Sequence, residues 1–131
     1  ELASIYESRG VDPATARSNT VVTLLVSLAG AEIRRGRNAE AEALTRRAVE
    51  LLRTVAGPES EHALAALNTL AVAIANQGDF DQALEILEQV VASNDRVYGE
   101  EHPRGIGIHQ NIASMLYQKG EFARAKERFQ R

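Results

Sequence analysis

No cysteine occurs among the 131 residues, so the chain can build neither a disulfide nor a thiolate metal site. Aromatic residues make up only 5% of it and prolines number three. With so few aromatic, β-branched and turn-forming side chains beside abundant alanine and leucine, helix is favoured over sheet. Basic charge is not in excess. The net charge is −3, which argues against a general binder of nucleic acid or anionic membrane. Long hydrophobic runs are missing too. The most apolar stretch, Val21 to Ala31, is too short to span a bilayer and lacks the basic leader of a signal peptide. It reads as a buried helix, and a cytoplasmic location is expected. The sequence starts without methionine and stops inside a helical pattern, so it reads as a fragment of something longer.

What the chain does have is a repeat. Ala29, Ala71 and Ala113 stand about 42 residues apart, a period that signals stacked units. Gly36, Gly78 and Gly120 keep the same step, as do Ala41, Ala83 and Ala125, and Leu28, Leu70 and Ile112. Gly57 and Gly99 close two of the units. Two helices per unit cannot bury an amphipathic stripe alone, whereas stacking the next pair does so. The recurring alanines mark the closest helix contacts, where a large side chain would push the helices apart.

In chain order, Leu2, Ile5 and Tyr6 have helical spacing before Gly10, a good helix terminator, and read as the tail of a preceding helix. Asp12-Pro13 supplies a cap and a first-turn proline. The next helix, to Arg35, starts there and is about five residues longer than its counterparts, or else starts at Ser18 after a loop. Gly36 breaks it, and Asn38 is expected to cap the second helix, which runs to about Val55. Gly57-Pro58-Glu59-Ser60 is a linker, a third helix begins near Glu61, and Gly78 ends it. Asp79 with Gln82 forms a capping box for the helix from Phe80 to about Val97. After the linker from Tyr98 to Pro103, Gly105 and Gly107 fall in the opening turns of a helix. That helix should fray there, or its backbone should lie close to something. A last helix starts near Glu121 and is cut at Arg131. Residues 1–10 are thus a helix tail, 11–56 a first repeat, 57–98 a second and 99–131 a truncated third.

Leu70-Ala71, Gly78-Asp79-Phe80 and Ala83 resemble the tetratricopeptide repeat (TPR) signature, as do Ile112-Ala113, Gly120-Glu121-Phe122 and Ala125. The first repeat departs from it, with Asn38 at the aromatic position. The long period and the linker Tyr98-Gly99-Glu100-Glu101-His102-Pro103 look like the kinesin light chain subtype; the first linker keeps Gly57 but has Ser60-Glu61 for His-Pro. The resemblance covers the chain from about residue 18. It implies an all-α, right-handed solenoid of antiparallel helix pairs, about three TPR-like repeats with partial helices at the ends.

Catalytic chemistry finds little support. His62, His102 and His109 form no metal-binding pair; His102 is expected to serve as a cap or loop contact, and His109 to be partly buried. Gly105-Ile-Gly107 lacks the third glycine, the strand and the lysine of a phosphate loop. Scattered serines have no elbow around them, and the carboxylate pairs fall on predicted helix surfaces. No catalytic residue, cofactor or metal is expected, and the segment is not read as an enzyme. The charge pattern says more. Glu59, Glu61, Asp79, Asp81, Glu85, Glu88, Asp95, Glu100 and Glu101 make the middle repeat acidic, while Arg34, Arg35, Arg37, Arg46, Arg47 and Arg53 load the first with base. Arg124, Lys126, Arg128 and Arg131 do the same at the end. Asp81, Glu85 and Glu88 share one helix face, which reads as a solvated convex surface or a polar docking surface.

The resemblance implies that the first helix of each pair lines a concave groove. Carried across position by position, the groove residues are Thr23, Val26, Gly30, Ile33 and Arg34; then Ala65, Asn68, Val72, Ala75 and Asn76; then Gly107, Gln110, Ser114, Tyr117 and Gln118. The candidate peptide-binding set is Val26, Arg34, Asn68, Val72, Asn76, Gln110, Ser114, Tyr117 and Gln118. Asparagine and glutamine carry both donors and acceptors, which suits a peptide backbone, and Tyr117 is a rigid amphipathic anchor. The groove is poor in lysine and arginine, so the carboxylate clamp some TPR proteins use for chaperone tails is not evident. The expected function is a non-catalytic interaction module for a protein or peptide partner. The alternatives are a spacer or self-assembly segment, associating through open ends where Phe122 and Phe129 lack a cover, and a peptide-sensing regulatory domain.

Overall fold

The computed structural model describes residues 13–120 apart from 56 and 58. Among them are five helices: α1 (Pro13–Arg34), α2 (Asn38–Val55), α3 (Glu61–Asn76), α4 (Phe80–Tyr98) and α5 (Pro103–Gln118). Several expectations fall outside the described residues: the helix tail with Leu2, Ile5, Tyr6 and Gly10, the Asp12 cap, and the last helix from Glu121 with Phe122, Ala125, Phe129 and its four basic residues.

Helix α1 does start at Pro13 and has 22 residues, against 16 in α3 and 16 in α5. The turn closing the second pair rests on Gly78, whose φ of +98° only glycine adopts at little cost; Gly36 and Gly120 repeat it. Asp79 caps α4 by accepting the Gln82 amide at 3.1 Å. Ser60 does the same for α3, accepting the Ala63 amide at 3.2 Å, and the His102 imidazole accepts the Arg104 amide at 3.2 Å at the head of α5. Asn38 does not cap α2. It lies within the helix, and its Oδ1 accepts a hydrogen bond from Asn76 at 3.1 Å. The side chain expected to satisfy its own helix end is spent on the next repeat.

Successive helices pack in order, and α1 also touches α3 directly, as α3 touches α5. The first helices of the pairs therefore form one continuous side of the stack. The recurring alanines lie where helices come closest: Ala29 and Ala41 are fully buried together with Ala73, and Ala71 and Ala83 belong to the main core with Leu64, Leu87, Ile108 and Ile112. Phe80 packs against that core from its edge.

Helix α5 does not fray at its glycines, but one of them is closely approached. A Cβ on Gly105 would lie 2.9 Å from Asn94 Nδ2, whereas one on Gly107 would meet nothing within 4 Å. Around this contact the linker before α5 is tied to the one before α3. Tyr98 donates its hydroxyl hydrogen to the Glu59 carbonyl at 3.0 Å, and Arg96 pairs with the Glu59 carboxylate. Arg104 reaches Glu61 at 3.3 Å and Asn94 at 3.2 Å with its guanidinium over the Tyr98 ring.

Candidate functional site

The side formed by α1, α3 and α5 carries the residues expected in the groove, but they do not play equal parts. Gln110, Ser114, Gln118 and Tyr117 on α5 are exposed, Tyr117 by 59%. On α3, Asn68 accepts a hydrogen bond from Asn111 at 2.9 Å, so one lone pair of its amide oxygen is committed across the helix pair. Asn76 is exposed and bonded to Asn38. Val72 and Val26 are half-buried and pack on the core clusters beneath them. Arg34 is exposed and folds back, its Nη1 3.6 Å from where a Gly30 Cβ would stand.

One groove residue is misplaced. Ala75 is only 5% exposed and belongs to the core. The same step along the repeat gives Ile33, half-buried, and Tyr117, exposed, so a matching position is not a matching environment. Asn111 was not among the expected groove residues, although its position is polar in every repeat, with Ser27 and Thr69 before it.

The rim of this side is laced between repeats. Gln77, at the end of α3, donates to Glu42 of α2 at 2.8 Å, and Lys119, at the end of α5, pairs with Asp81 of α4. Arg46 first, and then Gln77, hold the Glu42 carboxyl below the ordinary carboxylate range by hydrogen bonding, outweighing the effect of its burial. Asp81 is thereby a partner of the next repeat as well as part of an acidic face. Among the described residues, no three His, Asp or Glu side chains are grouped to hold a metal ion. No helix among them is long and apolar enough to cross a membrane. The half-buried His62 and His109 sit apart on α3 and α5.

Comparison with known proteins places this architecture. A crystal structure of kinesin-light-chain-type TPR-like repeats from Podosopora anserina matches with a TM-score of 0.78 and 26% identity, over 86% of this chain and 53% of that one. The chain thus spans about half the length of that structure. The TPR domain of Arabidopsis FLU matches with a TM-score of 0.73 and 16% identity, over 86% of this chain and 92% of that domain. BtubC from P. vanneervenii matches with a TM-score of 0.74 and 19% identity, over 85% and 45% of the two chains; at these identities both show the fold alone. No curated protein shows significant sequence similarity to the chain. The tetratricopeptide repeat family model covers residues 20–92 and 62–131. With helix pairs, glycine turns and linkers of the long-period, kinesin-light-chain-like kind, the chain belongs to the tetratricopeptide repeat family, whose fold is a module for protein–protein interaction.

Proposed function

We propose that this domain binds an extended peptide segment of a partner protein along the side formed by α1, α3 and α5, without catalysing a reaction on it, in the cytoplasm. The observation that carries the reading is the α5 row. Gln110, Ser114, Tyr117 and Gln118 are all exposed on α5, one of the first helices that pack along this side, and they combine amide and hydroxyl groups with an aromatic anchor. Asn68 and Asn111 lie beside them, Arg34 and Asn76 mark the rim, and Val26 and Val72 supply an apolar floor. The test is a peptide selected by display against the intact domain and measured by calorimetry. Tyr117→Ala should weaken it by at least about tenfold, as truncating a central aromatic anchor does, with Gln110→Ala smaller and Glu85→Ala neutral. Equal affinity for the Tyr117 variant would move the site elsewhere.

A second reading, an assembly segment, is favoured by one specific face. Val21, Leu24 and Leu28 on α1 are 45, 65 and 52% exposed. The matching residues Ala63, Ala66 and Leu70 on α3 are 2, 0 and 3% exposed, covered by the preceding helix pair. A second copy could cover this stripe. Sedimentation over a concentration series would then show association that Leu24→Glu removes; a mass that does not depend on concentration dismisses this reading.

A further inference from the structure

The exposed stripe of α1 is one half of a larger face. Val21 and Leu24 match Ala63 and Ala66, which are buried in one cluster with Ala48 and Leu52 of α2. By the repeat, the stripe therefore points away from α3, toward the open end of the stack. Beside it the cleft between α1 and α2 holds two hollows. One, of about 430 Å³, is walled by Val21, Leu25 and Leu51, and the other, of about 320 Å³, by Leu28, Ala43 and Leu44. Arg47 stands between them and lines both, and Glu40 lines the second. Ala63 and Ala66 admit α2 closely, whereas the bulkier Val21 and Leu24 hold a covering helix further off, at the spacing of interleaved side chains. An apolar face of this kind, rimmed by charge, marks an interaction surface.

We propose that its occupant is a second copy of this chain, laid on the first across a twofold axis with α2 antiparallel to α2. The proposal rests on the assembly reading and adds to it the surface, the symmetry and the charge pairs. A twofold contact has to be self-complementary, so that a residue meeting another is answered by the same pair in reverse. Arg47 and Glu40 supply such a pair. They stand seven residues apart, two turns along one stripe of α2, and both are exposed. With the axis crossing α2 between Ala43 and Leu44, Arg47 of each copy lies opposite Glu40 of the other. The same axis passes Leu28, which shares a hollow with Ala43 and Leu44, and so sets Leu24 of one copy beside Leu28 of the other. Taking these leucines out of water drives the association, and the charge pairs fix its register. A parallel pairing of α2 on α2 would instead set Arg47 against Arg47.

The test is sedimentation equilibrium over a concentration series on the parent, Arg47→Glu, Glu40→Lys and an equal mixture of the two variants, with circular dichroism to show that each is helical. The parent should reach twice the monomer mass and stop there, since a twofold contact closes. Each variant alone sets like charges together at both crossings and should associate at least about tenfold more weakly. The mixture should regain the parent's affinity, because every crossing then joins opposite charges. A role confined to one chain could not produce that rescue. A parent that stays monomeric overturns the assembly reading and this pairing with it, leaving the stripe to another partner. Association that the variants keep, singly and mixed alike, overturns the pairing alone. So does a mixture no tighter than its components, or a mass that grows past the dimer. The groove reading still stands or falls by the Tyr117 measurement, which does not depend on this face.

Discussion

At the scale of single residues, two glycines two positions apart in α5 illustrate how context sets the sign of a substitution. Gly107 has open space where a Cβ would go and lies inside α5, so Gly107→Ala should stabilise the domain by about 0.5–1 kcal/mol through the helix propensity alone. Gly105 is buried with Asn94 Nδ2 2.9 Å from the same point, and Asn94 is itself fully buried and bonded to Arg104. Gly105→Ala must displace that amide and should cost about 1–3 kcal/mol, the usual range for overpacking. Chemical denaturation of the two variants checks the pair; equal shifts in one direction would mean that the Asn94 contact yields freely. In the sequence the two glycines were indistinguishable, because what separates them is a side chain of the preceding helix. Asn68, Asn76 and Asn38 teach the same lesson. Their types were legible, but their hydrogen-bond partners lie about 40 residues away, beyond any local pattern.

Between elements, the linkers do more than connect. The sequence revealed helix pairs, the glycine turns and the cap at Asp79, since these depend on neighbours a few residues away. It did not reveal that the linker before α5 grips the linker before α3. Tyr98 is the central piece: its hydroxyl bonds the Glu59 carbonyl, and its ring underlies Arg104 with His102 beside it. Tyr98→Phe keeps the ring and removes only the hydroxyl, so it should cost about 1 kcal/mol, the net worth of one such bond. His102→Ala removes the cap of α5 and should cost about as much. Hydrogen exchange locates the effects. Faster exchange in the first turn of α5 is expected for the His102 variant, and Tyr98→Phe should instead loosen residues 59–61. Exchange unchanged in both places would show that the grip is a consequence of the stack and not a support for it. The groove was legible at this scale only as a set of positions, and Ala75 shows the limit: the period found its place in the helix, but burial in the main core beneath the groove decided its environment.

For the whole molecule, the question is how firmly the first repeat is joined to the rest, since the proposed groove crosses that seam. One polar tie there is Gln77 to Glu42, whose folded-state pKa is depressed by Arg46 and Gln77. A depressed carboxylate pKa stabilises above the unfolded value and loses that contribution as pH falls through the folded one. Acidification below the ordinary carboxylate range should therefore weaken this seam, and Glu42→Gln should flatten the pH dependence of stability there. The apolar tie is stronger. Ala73 of α3 is fully buried against Ala29 and Ala41 of the first pair, so three helices of two repeats meet at one methyl group. Ala73→Leu has no room and should cost about 1–3 kcal/mol. Because each repeat in a stack leans only on its neighbours, that cost should fall on the seam. Thermal melting should broaden or divide, with amides of α2 opening before those of α4, while Ala65→Leu on the exposed side should leave the melt single. If the Ala73 variant instead unfolds in one transition with α2 and α4 opening together, the repeats share one cooperative unit. A ligand laid across α1, α3 and α5 would then bind a rigid surface, not one that it helps to hold together.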